Sequence, residues 1–527
     1  MLKALTAPRG MVSAPHHLAA QAGASVLRDG GNAVEAMVAA AATIAVVYPH
    51  MNSIGGDGFW LISEPGKTPI GIDACGRAAA LATPAFYAGH GCQAIPSRGP
   101  LAANTVAGAI SGWKVALAMR TSRLPLSRLL QDAIWYAREG TPVTRSQVNY
   151  TERFAAELYP QPGYASTYLR EGRAPAAGSL QRFPALAGTL ARLAERGLDE
   201  FYRGEVANAL AAELERLGSP LRRDDLERQA ASTVTPLSTT LSVGTLFNLP
   251  PPTQGLASLM TLAIFDRLRS GAKVDSYEHV HGLVEATKEA FLVRNRHICD
   301  PQTMRASPAS FLAEGNLAQC ARAIDPKRAR PWPGPSITGD TVWMGAADRQ
   351  GTLVSYIQSV YWEFGSGVVL EDTGVTWQNR GSSFSLDPAS HVVLAPGRKP
   401  FHTLNPALAR FPDGRTMVYG NMGGDGQPQS QAAVFSRYAM FGQDLQHAVT
   451  APRWLLGRTW GEMSVGLKLE ARFPPELVLA LREAGHDVEM VDAFSDIVGH
   501  AGALVHHPDG TIAGAADPRS DGVVAGY

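Results

Sequence analysis

The chain has no excess of charge of either sign, little cysteine and no long apolar run. Its 527 residues carry 47 Lys and Arg against 47 Asp and Glu, so no global field draws it to nucleic acid or to a membrane surface. A small neutral or locally bound ligand fits that balance better. Cys75, Cys92, Cys299 and Cys320, four in all, show no metal-ligand or redox spacing and are too few for a disulfide framework. They read as core or surface thiols. No window resembles a transmembrane helix, and Met1 to Gly10 hold no apolar core of export-signal length. A cytoplasmic protein with no membrane partner is the expectation. The length would allow three or four domains, yet no linker divides the folding unit. The Pro-rich stretch from Pro326 to Pro335 reads as a mobile surface segment that keeps the neighbouring residues up to Thr341 accessible.

Metal and nucleotide readings are weak. His279, His281 and Glu285 fall on a stretch from Tyr277 to Ala290 that reads as a helix, where residues two apart point different ways, and no third ligand motif accompanies them. His16-His17 and His506-His507 read as surface or turn residues. Gly55-Gly56-Asp57-Gly58 lacks the spacing of a phosphate-binding loop and reads as a tight turn near an active site. Neither metal nor cofactor is expected. Helix and strand are mixed: Asn32 can cap a helix of small apolar residues ending near Pro49, and 353–357 and 416–419 look like strands.

The most informative feature is Gly339-Asp340-Thr341, which opens the strand-like run Thr341-Val342-Trp343-Met344-Gly345-Ala346-Ala347-Asp348. If the bond before Thr341 is cut, one residue holds a hydroxyl nucleophile and an amine base on neighbouring carbons. The hydroxyl alone is too weak an acid to attack an amide at neutral pH. An α-amine with a pKa of about 7.7–8.0 can take its proton, whereas the uncut amide nitrogen cannot. A precursor cut by its own Thr341 oxygen, acting on the Asp340 carbonyl, is therefore inactive until cleaved. Taken alone, the triplet is also ordinary grammar for starting a strand after a turn.

Its company is ordered. Downstream stand Tyr356-Ile357-Gln358-Ser359-Val360-Tyr361, Phe364-Gly365-Ser366-Gly367, Gln378-Asn379-Arg380-Gly381-Ser382-Ser383-Phe384, Lys399-Pro400-Phe401-His402-Thr403, Gly420-Asn421-Met422-Gly423-Gly424-Asp425-Gly426 and Asp517-Pro518-Arg519-Ser520. Upstream stand Asp29-Gly30-Gly31-Asn32, Ile54-Gly55-Gly56-Asp57-Gly58-Phe59, Asn104-Thr105-Val106-Ala107-Gly108 and Pro250-Pro251-Pro252-Thr253-Gln254-Gly255. In this order and at these spacings they resemble the γ-glutamyltranspeptidase family of N-terminal-nucleophile hydrolases. The resemblance implies an α+β fold, a four-layer αββα sandwich with two stacked, mainly antiparallel sheets between helices. It also implies a precursor that splits into a large subunit, 1–340, and a small one, 341–527. Both stay together in one folding unit, and a dimer of such heterodimers is left open.

By the same resemblance Thr341 is the nucleophile, Ser359 a second hydroxyl that orients it, and Gly423-Gly424 the oxyanion hole, where glycine lets backbone N–H groups approach a developing charge. The substrate pocket departs from the transpeptidases. Ser383 stands where they carry an acid for the substrate ammonium, Tyr361 replaces an asparagine, and Arg380 replaces a glutamine. An ammonium there would meet a cation, so a γ-glutamyl group is expected to be rejected. Carboxylate recognition is strengthened: Arg380 brings paired donors, His402-Thr403 replaces a serine pair, and Arg77 lies near the family's carboxylate-binding arginine but out of register. The segment from Ser385 to Arg398 is shorter than many transpeptidase lids, which favours water as acceptor. The expected substrate is the amide of a small acid with a carboxylate and no amine, and oxamate, the half-amide of oxalate, meets that description. Its rivals are a γ-glutamyl hydrolase or transpeptidase, a cephalosporin or glutaryl acylase, and an unprocessed protein that only binds small carboxylates.

Overall fold

Side-chain alternation sets the architecture. In the strand Asp340–Asp348, Val342, Met344 and Ala346 join one apolar cluster, whereas Trp343 and Ala347 join another. The strand Leu353–Tyr361 divides the same way, with Val354 and Tyr356 on one side and Leu353 and Ile357 on the other. Strands buried on both faces need cover on both.

The computed structural model describes residues 3–332, 340–457 and 464–527, with only the backbone of Asp340. It contains two seven-stranded antiparallel sheets. One runs in the order Val523–Gly526, Gly10–Ala14, Asp340–Asp348, Leu353–Tyr361, Asp57–Ser63, Ile70–Ala74 and Ser232–Val234. The other runs Leu5–Ala7, Ile512–Ala516, Ala501–His506, Thr416–Asn421, Ala407–Arg410, Gly244–Asn248 and Leu237–Leu241. Met11, Phe59, Trp343, Ile357, Val418 and Leu504 pack in a common core between them. Helices His17–Arg28 and Ala33–Val47 cover the first sheet, and Gly255–Leu268, Tyr277–His297 and Gly426–Phe435 cover the second. The fold is thus the expected αββα sandwich. Strands from both sides of the 340/341 junction interleave in each sheet, so a cut there leaves the layers hydrogen-bonded together.

Trp343 fixes the spacing of the sheets beside the junction. A Cβ at Gly420 would lie 2.0 Å from its ring and one at Gly502 2.5 Å, so both strands must carry glycine where the indole crosses. Its Nε1 donates to Ser355 Oγ at 2.9 Å.

Asn32 caps Ala33–Val47 as read from the sequence: its Oδ1 accepts from Val34 N and Glu35 N, and Glu35 accepts in return from Asn32 N at 2.9 Å. The helix from Tyr277 runs on to His297, because Phe291 and Arg294 keep its inner face buried. His279 and His281 do point apart, to Ser436 Oγ at 2.8 Å and His486 Nε2 at 2.9 Å. His486, invisible as a partner in sequence, brings a third donor within 4.8 Å of His281 and Glu285. These groups are already bonded internally, Glu285 to Lys288 Nζ at 2.6 Å and Arg330 N at 3.1 Å, and His281 to Asp325 O at 2.9 Å. The surface expectation for His16 fails: it is buried, and its Nδ1 accepts from Leu18 N to start the helix His17–Arg28. Part of the stretch from Pro326 to Pro335, and Gly339, lie outside the described residues. Among the described residues no helix is long and apolar enough to cross a membrane.

Candidate active site

Thr341 is buried at the start of its strand, where the ladder to Leu353–Tyr361 slips between Asp340 and Val342. Gln427 Nε2 donates to Thr341 Oγ1 at 3.4 Å. Gln427 belongs to the first turn of the helix Gly426–Phe435, which comes directly after Gly423-Gly424 and Asp425. Gly423 has φ +112° and Gly424 φ +51°, left-handed values that favour glycine and turn the chain sharply into the helix. Gly426 N and Gln427 N donate back to Gly423 O at 2.7 Å and Gly424 O at 3.2 Å.

Two buried systems brace this turn. Gln254 Nε2 bridges Gly424 O at 2.8 Å and Thr403 O at 2.7 Å, and its Oε1 accepts from Arg294 Nη1 at 2.8 Å. Arg294 also grips Asp425 with two bonds, 2.7 and 3.1 Å. On the other side Asn421 Oδ1 accepts from Arg453 Nη1 at 3.2 Å, and Arg453 pairs with Asp517, which pairs with Arg519 and through it Glu470. Charges this deeply buried hold position only when paired.

Ser359 lies on the neighbouring strand, where its Oγ accepts from Tyr361 N at 2.7 Å. A Cβ at Gly56 would come within 2.1 Å of Ser359 O, so the Gly55-Gly56 turn packs directly on that strand. Tyr361 is the Cα partner of Asp340 across the ladder and has φ +85°, a strained value for a bulky residue and a frequent mark of functional sites.

Arg380 stacks its guanidinium on the Tyr361 ring at 3.7 Å. It is fully buried, and Nη1 donates to Thr403 Oγ1 at 3.3 Å. Its Nε and Nη2, the side-on fork that matches a carboxylate, reach no acceptor among the described residues. Burial pulls the Arg380 pKa down to about 10, against the opposing pull of Tyr361, Asp57 and Cys75, so it stays charged at neutral pH. His402 Nε2 bonds Asp57 Oδ2 at 3.0 Å. Asp57 Oδ1 accepts from Gly76 N at 2.9 Å, Gly108 N at 3.0 Å and Gln378 Nε2 at 3.1 Å. Burial pushes the Asp57 carboxyl up to about 7, restrained by those donors and by Arg380. Burial, then Arg380 and Lys399, hold His402 well below its ordinary value.

Thr341, Gly423, Gly424, Thr403, Arg380, Tyr361, Ser359 and His402 are therefore joined by contacts into one buried region. Ser383 borders it, donating to Phe401 O at 3.2 Å. Arg77 is placed apart: partly exposed, it donates to Gly397 O at 2.9 Å in a surface hollow with Asp225 and Arg228. Sequence reasoning missed Asp57 and Gln427 as site residues, and the Gln254–Arg294–Asp425 brace. A carboxylate flanked by glycines within the apolar run 54–59 was a signal for Asp57. Gln427 carried none.

Fold and site together define an N-terminal-nucleophile hydrolase, a self-processing amidohydrolase. The family model for gamma-glutamyltranspeptidase matches residues 19–527, and the chain belongs to that family. It is 56% identical over 524 residues to the oxamate amidohydrolase proenzyme of Klebsiella pneumoniae, covering 98% of each chain. To the glutathione hydrolase-like YwrD proenzyme of Bacillus subtilis it is 37% identical, covering all of both. The crystal structure of a cephalosporin acylase from Bacillus halodurans superposes with a TM-score of 0.91 at 33% identity, covering 100% of this chain and 97% of that one.

Proposed function

We propose that the protein hydrolyses oxamate to oxalate and ammonia. The carrying observation is the buried Arg380 fork, whose Nε and Nη2 reach no acceptor among the described residues, stacked on the residue that pairs with position 340. Tyr361 ties that fork to the strand end that carries Thr341, an arrangement that suits an acid whose carboxylate is bonded directly to the scissile carbon. A glutaryl chain would hold the two apart, and a γ-glutamyl ammonium would meet a guanidinium. The 56% identity to an oxamate amidohydrolase supports the same reading.

In the proposed reaction the bond between Asp340 and Thr341 is first cut, giving subunits 1–340 and 341–527. Thr341 Oγ1 then attacks the amide carbonyl while its own amine takes the proton. Backbone N–H groups of the Gly423-Gly424 turn stabilise the oxyanion, and Ser359 and Gln427 hold the nucleophile's surroundings. The amine passes the proton to departing ammonia, and water hydrolyses the remaining ester to oxalate. Ammonia release by matured protein from oxamate, glutaryl amides and a γ-glutamyl anilide tests this. Oxamate is expected to lead the panel, and comparable turnover of the anilide refutes the assignment. A cytoplasmic location and a dimer of the two-subunit unit belong to the same proposal, tested by cell fractionation and by sizing the matured protein.

A further inference from the structure

We propose that His402 and Asp57 form a proton-accepting pair that charges when the substrate carboxylate enters, so the site takes up its anion together with one proton. This rests on Arg380 being the carboxylate fork. The geometry begins at Asp57, whose Oδ1 accepts three N–H donors, from Gly76, Gly108 and Gln378. Those donors favour the ionised carboxylate against the burial that lifts Asp57 to about 7, so above that pH the proton on the 3.0 Å line between Oδ2 and His402 Nε2 sits on the nitrogen. The other ring nitrogen, Nδ1, is then a bare lone pair, fully buried and without a donor among the described residues.

Arg380 and Asp57 cancel in charge while the site is free of substrate. A second carboxylate leaves one surplus negative charge in a desolvated cluster and sets it in the same buried region as a bare lone pair. Protonating Nδ1 removes both penalties, because the imidazolium restores neutrality and turns the lone pair into a donor. In the substrate-free site the imidazole is held well below its ordinary value, so the entering negative charge is what must supply the upward shift. The neighbours offer no rival acceptor. Lys399 is engaged by Asp73 at 2.5 Å, the Cys75 thiol and the Tyr361 phenol are pushed up by burial and stay neutral, and Phe59 meets the His402 ring edge-on. Burial, then Arg380 and Lys399, oppose the charge on His402 until the substrate anion offsets them.

Calorimetry of matured protein with oxalate, in HEPES and in Tris at about pH 8, counts the protons taken up on binding. About one proton per oxalate is expected, with Kd rising roughly tenfold per pH unit above about pH 7. His402→Gln, which has no titrating nitrogen, is expected to lose that uptake and flatten the pH profile, while any share due to the Thr341 amine stays in both proteins. Asp57→Asn carries the same expectation and decides if the glutamine variant does not mature. Oxalate binding to wild type without proton uptake overturns the proposal, as does full uptake by His402→Gln. Failure of oxalate to bind wild type at all, by heat or by competition with oxamate, instead sinks the reading of Arg380.

Discussion

Arg380→Gln separates a carboxylate receptor from a structural arginine. Among the described residues the guanidinium gives one bond to protein, to Thr403 at 3.3 Å, and stacks on Tyr361 at 3.7 Å. Its Nε and Nη2 have no acceptor among the described residues. Two charge-assisted bonds to a substrate carboxylate are worth roughly 1.5–3 kcal/mol each, and a neutral glutamine recovers about 1 kcal/mol. The net loss centres on about 3.5 kcal/mol, or roughly 400-fold in kcat/KM. Because the carboxylate is held in both ground and transition states, the loss falls on KM rather than kcat. Stability moves the other way. Buried donors without partners cost about 1–3 kcal/mol each, so the variant is expected to melt no lower than wild type. Steady-state ammonia release against oxamate concentration, with a melting curve on the same sample, gives both numbers. A KM within about twofold of wild type, or a large drop in melting temperature with KM unchanged, refutes the assignment.

Thr341→Ala is expected to run on a gel as one intact, inactive chain; two clean subunits would contradict self-cleavage. Gln427→Leu removes the donor to Thr341 Oγ1 and is expected to lower kcat about tenfold, the worth of one hydrogen bond, with KM near wild type; an unchanged kcat removes Gln427 from the machinery. Arg294→Met leaves the Asp425 carboxylate without its guanidinium and is expected to cost about 3–5 kcal/mol of stability, read by denaturant melts; a variant as stable as wild type shows that the pair does not brace the turn. Asp517 gives a pH signature. Burial raises its pKa, but Arg453, Arg519 and His500 overcome that and hold it at about 2. A depressed carboxyl contributes stability fully present above its unfolded value near about 3.9 and lost as pH falls through its folded one. Asp517→Asn is therefore expected to be less stable than wild type at neutral pH by about 2–3 kcal/mol, with the gap closing between about pH 4 and 2; a gap that is constant with pH refutes the charge argument.

Legibility in the sequence depends on the range of each interaction. The cap at Asn32 spans three residues, the strands declare themselves by alternation, and Thr341 announces its chemistry by residue type and by the motifs around it. The sandwich came through the ordered motifs, since strands far apart in sequence lie side by side, Leu5–Ala7 with Ile512–Ala516 and Gly10–Ala14 with Asp340–Asp348. The site's supports are long-range: Gln427 meets Thr341 across 86 residues, Arg294 meets Asp425 across 131, and His402 meets Asp57 across 345. No local pattern encodes such pairings, so Gln427 read as one polar residue in a helix and Asp57 as part of a turn.

Arg380 marks where residue identity stops being informative. As a substitution it says that a cation has replaced a neutral amide, which excludes an ammonium ligand but leaves open whether the charge is already paired inside the protein. Bonding state answers that. Had Asp57 taken the fork, Arg380 would be a structural ion pair and the pocket would have no anion receptor. Instead Asp57 is engaged by His402, Gln378 and two backbone N–H groups, and Thr403 takes a single guanidinium nitrogen. The orphaned edge thus depends on Asp57 being held elsewhere. A variant that frees Asp57, such as His402→Ala, is expected to let it swing onto Arg380 and raise KM for oxamate as severely as loss of the arginine itself. Wild-type KM in that variant would show that Asp57 and Arg380 are independent.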